Sequence, residues 1–229
     1  MDEHVAWYRD PFIWLVCAAT AVPFLWFAAV LVANVAVFNA ALTAGQADFL
    51  GQLGMAVAAA GLAAVVLRGT PRAVPWWRAI IADDPLFVLP AVPSLAPLGV
   101  YVVLVPVWLF VMGGAGRMLS LQDIGWWERI LMILPVPVAT AVCEEYLWRG
   151  RILSELERRT EDPTRALLWS SGLWAVSRGA LADPVQGVWL FAAGCALGWY
   201  RIRERRLLPV IAVRGVAGVI VNVAWLVGL

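Results

Sequence analysis

The chain has 229 residues, 62% of them hydrophobic and 14% charged, with a mean hydropathy of +0.81 and a formal net charge of +1. Soluble domains carry roughly 25% charged residues, so the composition excludes an ordinary soluble fold, and a net charge this small gives no footing for nucleic-acid binding. The composition reads as an integral membrane protein of all-α class, a polytopic transmembrane helical bundle, because each span needs ~20 apolar residues to cross ~30 Å of hydrocarbon.

In chain order, a polar leader with His4, Arg9 and Asp10 precedes an apolar run longer than a signal-peptide core, so the first segment is expected to stay as a helix. Apolar stretches follow at roughly 12–41, 49–67, 86–112, 130–148, 165–181, 185–200 and 207–227, which gives about seven spans. The third contains Pro90, Pro93, Pro97 and Pro106 and is expected to kink, break or re-enter, since each interior proline removes a backbone hydrogen bond that lipid cannot replace. Trp76, Trp77, Trp126 and Trp127 fall at segment edges, where indoles favour the headgroup region.

All 17 basic residues are arginine, which points to GC-rich codons in a bacterium. Thirteen of them cluster before span one and after spans two, four and six, against Arg117 and Arg129 in the alternate loops. The positive-inside rule then puts the N-terminus in the cytoplasm, in a bacterial inner membrane. Cys17, Cys143 and Cys195 lie far apart without metal or disulfide spacing, and the single histidine sits in the leader. No metal site and no cofactor are expected. Ser170, Ser171 and Ser177 have no histidine or lysine at hand to activate them.

Five ionisable side chains, Glu144, Glu145, Arg149, Arg178 and Arg214, fall inside the apolar C-terminal third. At a bilayer centre such a group costs at least ~2.5 to 3.5 kcal/mol on insertion scales, so it is there to pair, to meet water or to act. The sharpest pattern is Cys143-Glu144-Glu145-Tyr146-Leu147-Trp148-Arg149-Gly150. Glu145 and Arg149, four apart, share a helical face and are expected to form an ion pair. Glu144 is turned by roughly 100° about the axis and is free to face a cavity, where a carboxylate can take a proton from water and return it to a leaving amine. On spacing alone the stretch also fits a solvated acidic helix end, neutralised by Arg149 and Arg151.

The run Glu144-Glu145-x-x-x-Arg149-Gly150 resembles the first motif of the CPBP superfamily, the CAAX proteases and bacteriocin-processing enzymes. The resemblance covers roughly residues 130–225 and includes the helix order, the arginine-containing turn before Leu207-Leu208-Pro209 and the final span. It implies a glutamic intramembrane protease in which Glu144 is the general base and Glu145 with Arg149 holds the helix geometry. The family's second motif is an aromatic residue followed four places later by histidine; here Trp174-Ala175-Val176-Ser177-Arg178 ends in arginine. The third is histidine followed four places later by Asn or Asp, and the matching stretch is Arg214-Gly215-Val216-Ala217-Gly218. Asn222, further along the same helix, is the expected substitute as a donor to an oxyanion.

Arginine is effectively always protonated and cannot relay a proton, although its guanidinium can donate to a developing oxyanion. Arg178 and Arg214 read equally as structural counter-ions to Glu144 or Glu145. Counted from Arg165, Arg178 lies 13 residues, about 20 Å, into its span, deep enough to miss a Glu144 that sits one or two turns from its own helix end.

The expectation is a single membrane domain, with N-terminal transmembrane helices over residues 1–115 and CPBP-like core helices over 116–229. The resemblance implies an endopeptidase acting on a membrane-associated protein, a C-terminal sorting anchor or a leader peptide, as in a myxosortase-like enzyme. The alternative is a catalytically degenerate homologue that binds a partner transmembrane segment as scaffold or immunity factor. Membrane lipid and a protein are the expected partners, and nucleic acid is not.

Overall fold

The computed structural model describes residues 10–36, 42–68, 96–114, 124–178, 180 and 183–227. His4, Arg9, Trp76, Trp77, Pro90, Pro93 and Arg117 lie outside the described residues. The helices are α1 (Pro11–Ala36), α2 (Ala44–Arg68), α3 (Ala96–Gly114), α4 (Trp126–Ile133), α5 (Pro135–Glu145), α6 (Leu153–Thr160), α7 (Pro163–Ser177), α8 (Pro184–Glu204) and α9 (Leu208–Val227). A π-helical stretch, Tyr146–Ile152, joins α5 to α6. Regular structure among the described residues is entirely helical, as an all-α membrane bundle requires.

Within the described residues each apolar stretch of the sequence coincides with a helix. By length and apolar composition, Pro11–Val30, Gly45–Val66, Trp126–Thr160 and Leu208–Leu226 suffice to cross a membrane, and Ala96–Trp108 is apolar but shorter. The 15 residues of α7 span only about 22 Å, less than the hydrocarbon thickness. Pro106 lies inside α3 and Pro97 in its first turn, where a missing N–H costs nothing.

The largest departure from the sequence expectation concerns the fourth segment. It does not end near residue 148: a nearly continuous rod runs from Trp126 to Thr160. Pro135 at the start of α5 has no N–H to give, and the rod bends at Leu134 (φ −124°, ψ −60°). Beyond Glu145 the helix loosens rather than stops, with the Leu153 N–H reaching back five residues to the Trp148 carbonyl. Such π segments are rare and concentrate at functional sites. The helix then continues as α6, whose exposed Arg158 and Arg159 both pair with Glu155 three and four residues earlier.

The expected loop around 149–165 therefore shrinks to Glu161 and Asp162. Glu161 takes a left-handed conformation (φ 52°) that terminates α6. The Asp162 carboxylate then caps α7 by accepting from the Thr164 and Arg165 N–H groups at 2.8 and 3.2 Å, with Pro163 at the first helical position. An Asp-Pro pair repeats the device at α8, where Asp183 accepts from Val185 and Gln186.

Helices α5 to α9 pack together, with α2 against α5, α1 against α7 and α3 against α8. The centre is apolar: Leu147, Trp148, Ile152, Trp174, Ala193, Leu197, Tyr200 and Val210 are buried together. Valines such as Val65, Val103, Val188 and Val216 point outward, as expected where the surrounding solvent is hydrocarbon. Small residues set the closest approach. A Cβ on Gly194 would stand 3.0 Å from the Ser171 Cβ and 3.2 Å from Trp174 Cε3, so α8 lies directly against α7.

Candidate active site

Glu144 and Glu145 end α5, Arg149 sits on the π stretch, Arg178 caps the C-terminus of α7 and Arg214 lies in the second turn of α9. Three separate parts of the chain thus deliver the five predicted charges, and the structure brings all five together.

The Arg149 Nη1 donates to Glu145 Oε1 at 3.2 Å, with the two side chains 1% and 0% exposed. This is the expected pair, four residues apart, and it is wholly removed from solvent. Glu144 faces away from it toward the other two arginines. Arg178 Nη2 donates to Glu144 Oε2 at 2.8 Å, and Arg214 Nη2 stands 4.0 Å from the same oxygen. Arg214 also bridges the two acids, its Nε lying 4.0 Å from Glu145 Oε1.

The hairpin geometry explains how Arg178 reaches Glu144. Because α6 extends to Thr160, Glu144 lies 16 residues from the hairpin tip, and Arg178 lies 15 residues beyond Pro163. At 1.5 Å per residue both are between about 22 and 24 Å from the turn. Antiparallel packing of α6 on α7 then sets them level, and the depth mismatch expected from the sequence disappears with the corrected helix end.

Trp174 organises the cluster. It is 0% exposed, its indole N–H donates to Glu144 Oε2 at 3.4 Å, and its rings face the guanidinium carbons of Arg149 at 4.4 Å and Arg214 at 5.7 Å. Desolvated cation–π contacts of this kind are worth about 2 kcal/mol. Tyr101 from α3 is buried beside Arg214, and the Met55 sulfur from α2 lies 3.5 Å from Arg178 Nη1. None of these three was counted among the expected site residues. For Trp174 the signal was present, since it is the aromatic position four before Arg178; Tyr101 and Met55 come from helices whose sequence carries no mark of the site.

Asn222 is the exception. Its side-chain amide is buried and donates to the Met132 carbonyl in α4 at 2.5 Å. Eight residues beyond Arg214 on one helix, it stands roughly 12 Å away along the axis. The expected oxyanion donor is therefore a tie between α9 and α4. Two of the three serines are likewise occupied: Ser177 donates to the Trp174 carbonyl at 2.7 Å and Ser170 to that of Trp148 at 3.5 Å. Among the described residues no cluster of His, Cys, Asp and Glu is arranged to hold a metal ion.

All of the close contacts to Glu144 fall on Oε2. Among the described residues its other oxygen, Oε1, meets no donor, while the side chain keeps 7% of its surface. Among the described residues one oxygen is thus anchored and the other is not engaged.

Residues 125–220 match a family model described as Rce1-like, type II CAAX prenyl endopeptidase. The matched segment contains Glu144, Glu145, Arg149, Arg178 and Arg214 and stops short of Asn222. Comparison with curated proteins and with solved structures gave no match.

Proposed function

We propose, for a chain whose residues 125–220 belong to the CPBP superfamily, an intramembrane endopeptidase that hydrolyses a membrane-associated protein with water activated by Glu144. The observation that carries this reading is the one-sided engagement of the carboxylate. Arg178 and Trp174 hold Oε2 and so fix the plane of the group, and Oε1 is left as the basic atom. Water bound there gives a proton to Oε1 as its oxygen attacks the scissile carbonyl carbon. The oxyanion develops beside the guanidinium groups of Arg178 and Arg214, fixed donors that need no reorganisation. The proton then passes from Glu144 to the leaving nitrogen as the C–N bond breaks. Because neither arginine can relay it, one carboxylate performs both transfers.

The substrate on this reading is a C-terminal sorting anchor or a leader peptide presented within or beside the bilayer. The arginine asymmetry of the loops favours a cytoplasmic N-terminus in a bacterial inner membrane.

One observation favours a second reading. The 2.8 Å pair between Arg178 and Glu144 is a closed ion pair, and such pairs serve insertion and packing as well as chemistry. On that reading the protein is a degenerate homologue acting as membrane scaffold, immunity factor or partner-binding protein. Terminal-peptide profiling of membranes from cells carrying the wild type, Glu144→Gln or Glu144→Ala at matched protein levels separates the two. The protease reading expects a set of new termini present only with the wild type. Identical terminal profiles in all three strains would leave only the scaffold.

A further inference from the structure

Among the described residues three guanidinium groups face two carboxylates at the cluster, a formal excess of one positive charge in a site whose members are at most 16% exposed. Hydrogen-bonding capacity is unbalanced in the same sense. Among the described residues Arg149 Nη2, Arg178 Nε and Arg214 Nε are buried nitrogens without a hydrogen-bond partner, against one such acceptor at the cluster, Glu145 Oε2. Buried donors on charged groups are costly to leave unpaired, and a buried charge is tolerated when it is matched and hydrogen-bonded.

We infer that this cluster is a binding site for one carboxylate group, received between the guanidinium groups of Arg178 and Arg214. A single negative charge cancels the excess of one, whereas a phosphate monoester, carrying nearly two, would overshoot it. A planar group with two oxygens also suits the guanidinium fork, which carboxylates engage through parallel N–H···O bonds. The pattern of exposure says where it enters. Arg178 and Arg214 keep 14% and 16% of their side-chain surface, while Arg149 keeps 1% and closes the back of the site. Two arginines, neither of which can relay a proton, thus make the cluster an anion receptor, whether or not hydrolysis takes place there. The carboxylate comes either from a free small acid or from a peptide, as its C-terminus or an acidic side chain.

The test uses the full chain in lipid nanodiscs and three probes: a short apolar peptide with a free C-terminal carboxylate, the same peptide as its C-terminal amide, and propionate. The acid peptide is expected to bind about tenfold or more tighter than the amide, the scale of a charge-assisted hydrogen bond. Arg178→Gln and Arg214→Gln should each abolish that preference, and Arg165→Gln, at an exposed surface position, should keep it. Glu144→Gln removes a competing carboxylate and should enlarge the preference even as it ends proteolysis, so failure of the receptor and failure of the protease are told apart. Competition by propionate assigns the site to any small carboxylate; no competition beside tight acid-peptide binding assigns it to a peptide. Both sustain the proposal. Equal binding of acid and amide to the wild type overturns it, as does an undiminished acid preference in both arginine variants. Should the glutamine variants fail to fold, Arg178→Lys and Arg214→Lys keep the charge but lose the fork, and a wild-type preference in both would overturn the assignment.

Discussion

Replacing Arg149 with methionine removes a charge but keeps most of the side chain's bulk, and it leaves Glu145, 0% exposed, with Arg214 at 4.0 Å as its closest cation. Removing one partner of a buried pair costs about 3–5 kcal/mol, because the other charge stays buried and uncompensated. The methionine also gives up the guanidinium 4.4 Å above the Trp174 ring, a loss that overlaps with the first and is not simply added to it. For a chain of this size ~2–4 °C of unfolding midpoint accompanies each kcal/mol, so the midpoint in detergent should fall on the order of 10 °C. Replacing the pair together, Glu145→Leu with Arg149→Met, should recover most of the loss, since apolar residues of similar volume commonly substitute for a buried ion pair at little cost. Thermal unfolding of the wild type, both single variants and the double variant forms a complete cycle. A single variant within about 1 kcal/mol of wild type, or a double variant no better than the worse single one, would refute the claim that this pair is desolvated and mutually dependent.

Asn222→Leu should lower stability by ~1–3 kcal/mol, because it strands the Met132 carbonyl, while processing per folded molecule stays at the wild-type level; a selective loss of processing would restore Asn222 to the site. Gly194→Ala drives a methyl against Ser171 and Trp174 and should cost about 1–3 kcal/mol, with processing reduced because Trp174 holds Glu144; unchanged stability and processing would show that α7 and α8 separate freely. At the membrane edge, hydrogen bonding from Arg159 holds the Asp10 carboxyl below its ordinary value of 3.8. A lowered folded value means that this contact stabilises the fold fully above pH 3.8 and is lost as pH falls through the shifted value. Asp10→Asn should therefore flatten the acid limb of a midpoint-against-pH curve and leave its slope near neutrality alone; an acid limb identical to wild type would remove Asp10 from that account.

The helical class and the membership of the cluster were legible in the residues, because charges embedded in apolar stretches have few places to go. The Glu145–Arg149 pair follows from a spacing of four, and Arg178 and Arg214 were visible as charges inside apolar stretches. What the sequence concealed was where α5 ends. Hydropathy marks the edge of the hydrocarbon, not the end of a helix, and the charged run from Arg149 to Thr160 reads as a loop although its Glu155–Arg158–Arg159 pairs support a helix. The register of Arg178 with Glu144 depends on that hidden extension, so the depth argument failed for the same reason. Asn222 was placed by analogy with a position four residues earlier, and a shift of one turn was enough to turn it toward Met132.

The most direct test of the account follows the oxygen. Reconstituted wild-type protein, given a peptide identified by terminal profiling in water enriched in oxygen-18, should leave one heavy oxygen on the newly formed C-terminal carboxyl in the first turnover. Glu144→Gln at the same folded concentration should yield no product. Cleavage by Glu144→Gln and Glu144→Ala at the wild-type rate would contradict the claim that this carboxylate activates the water.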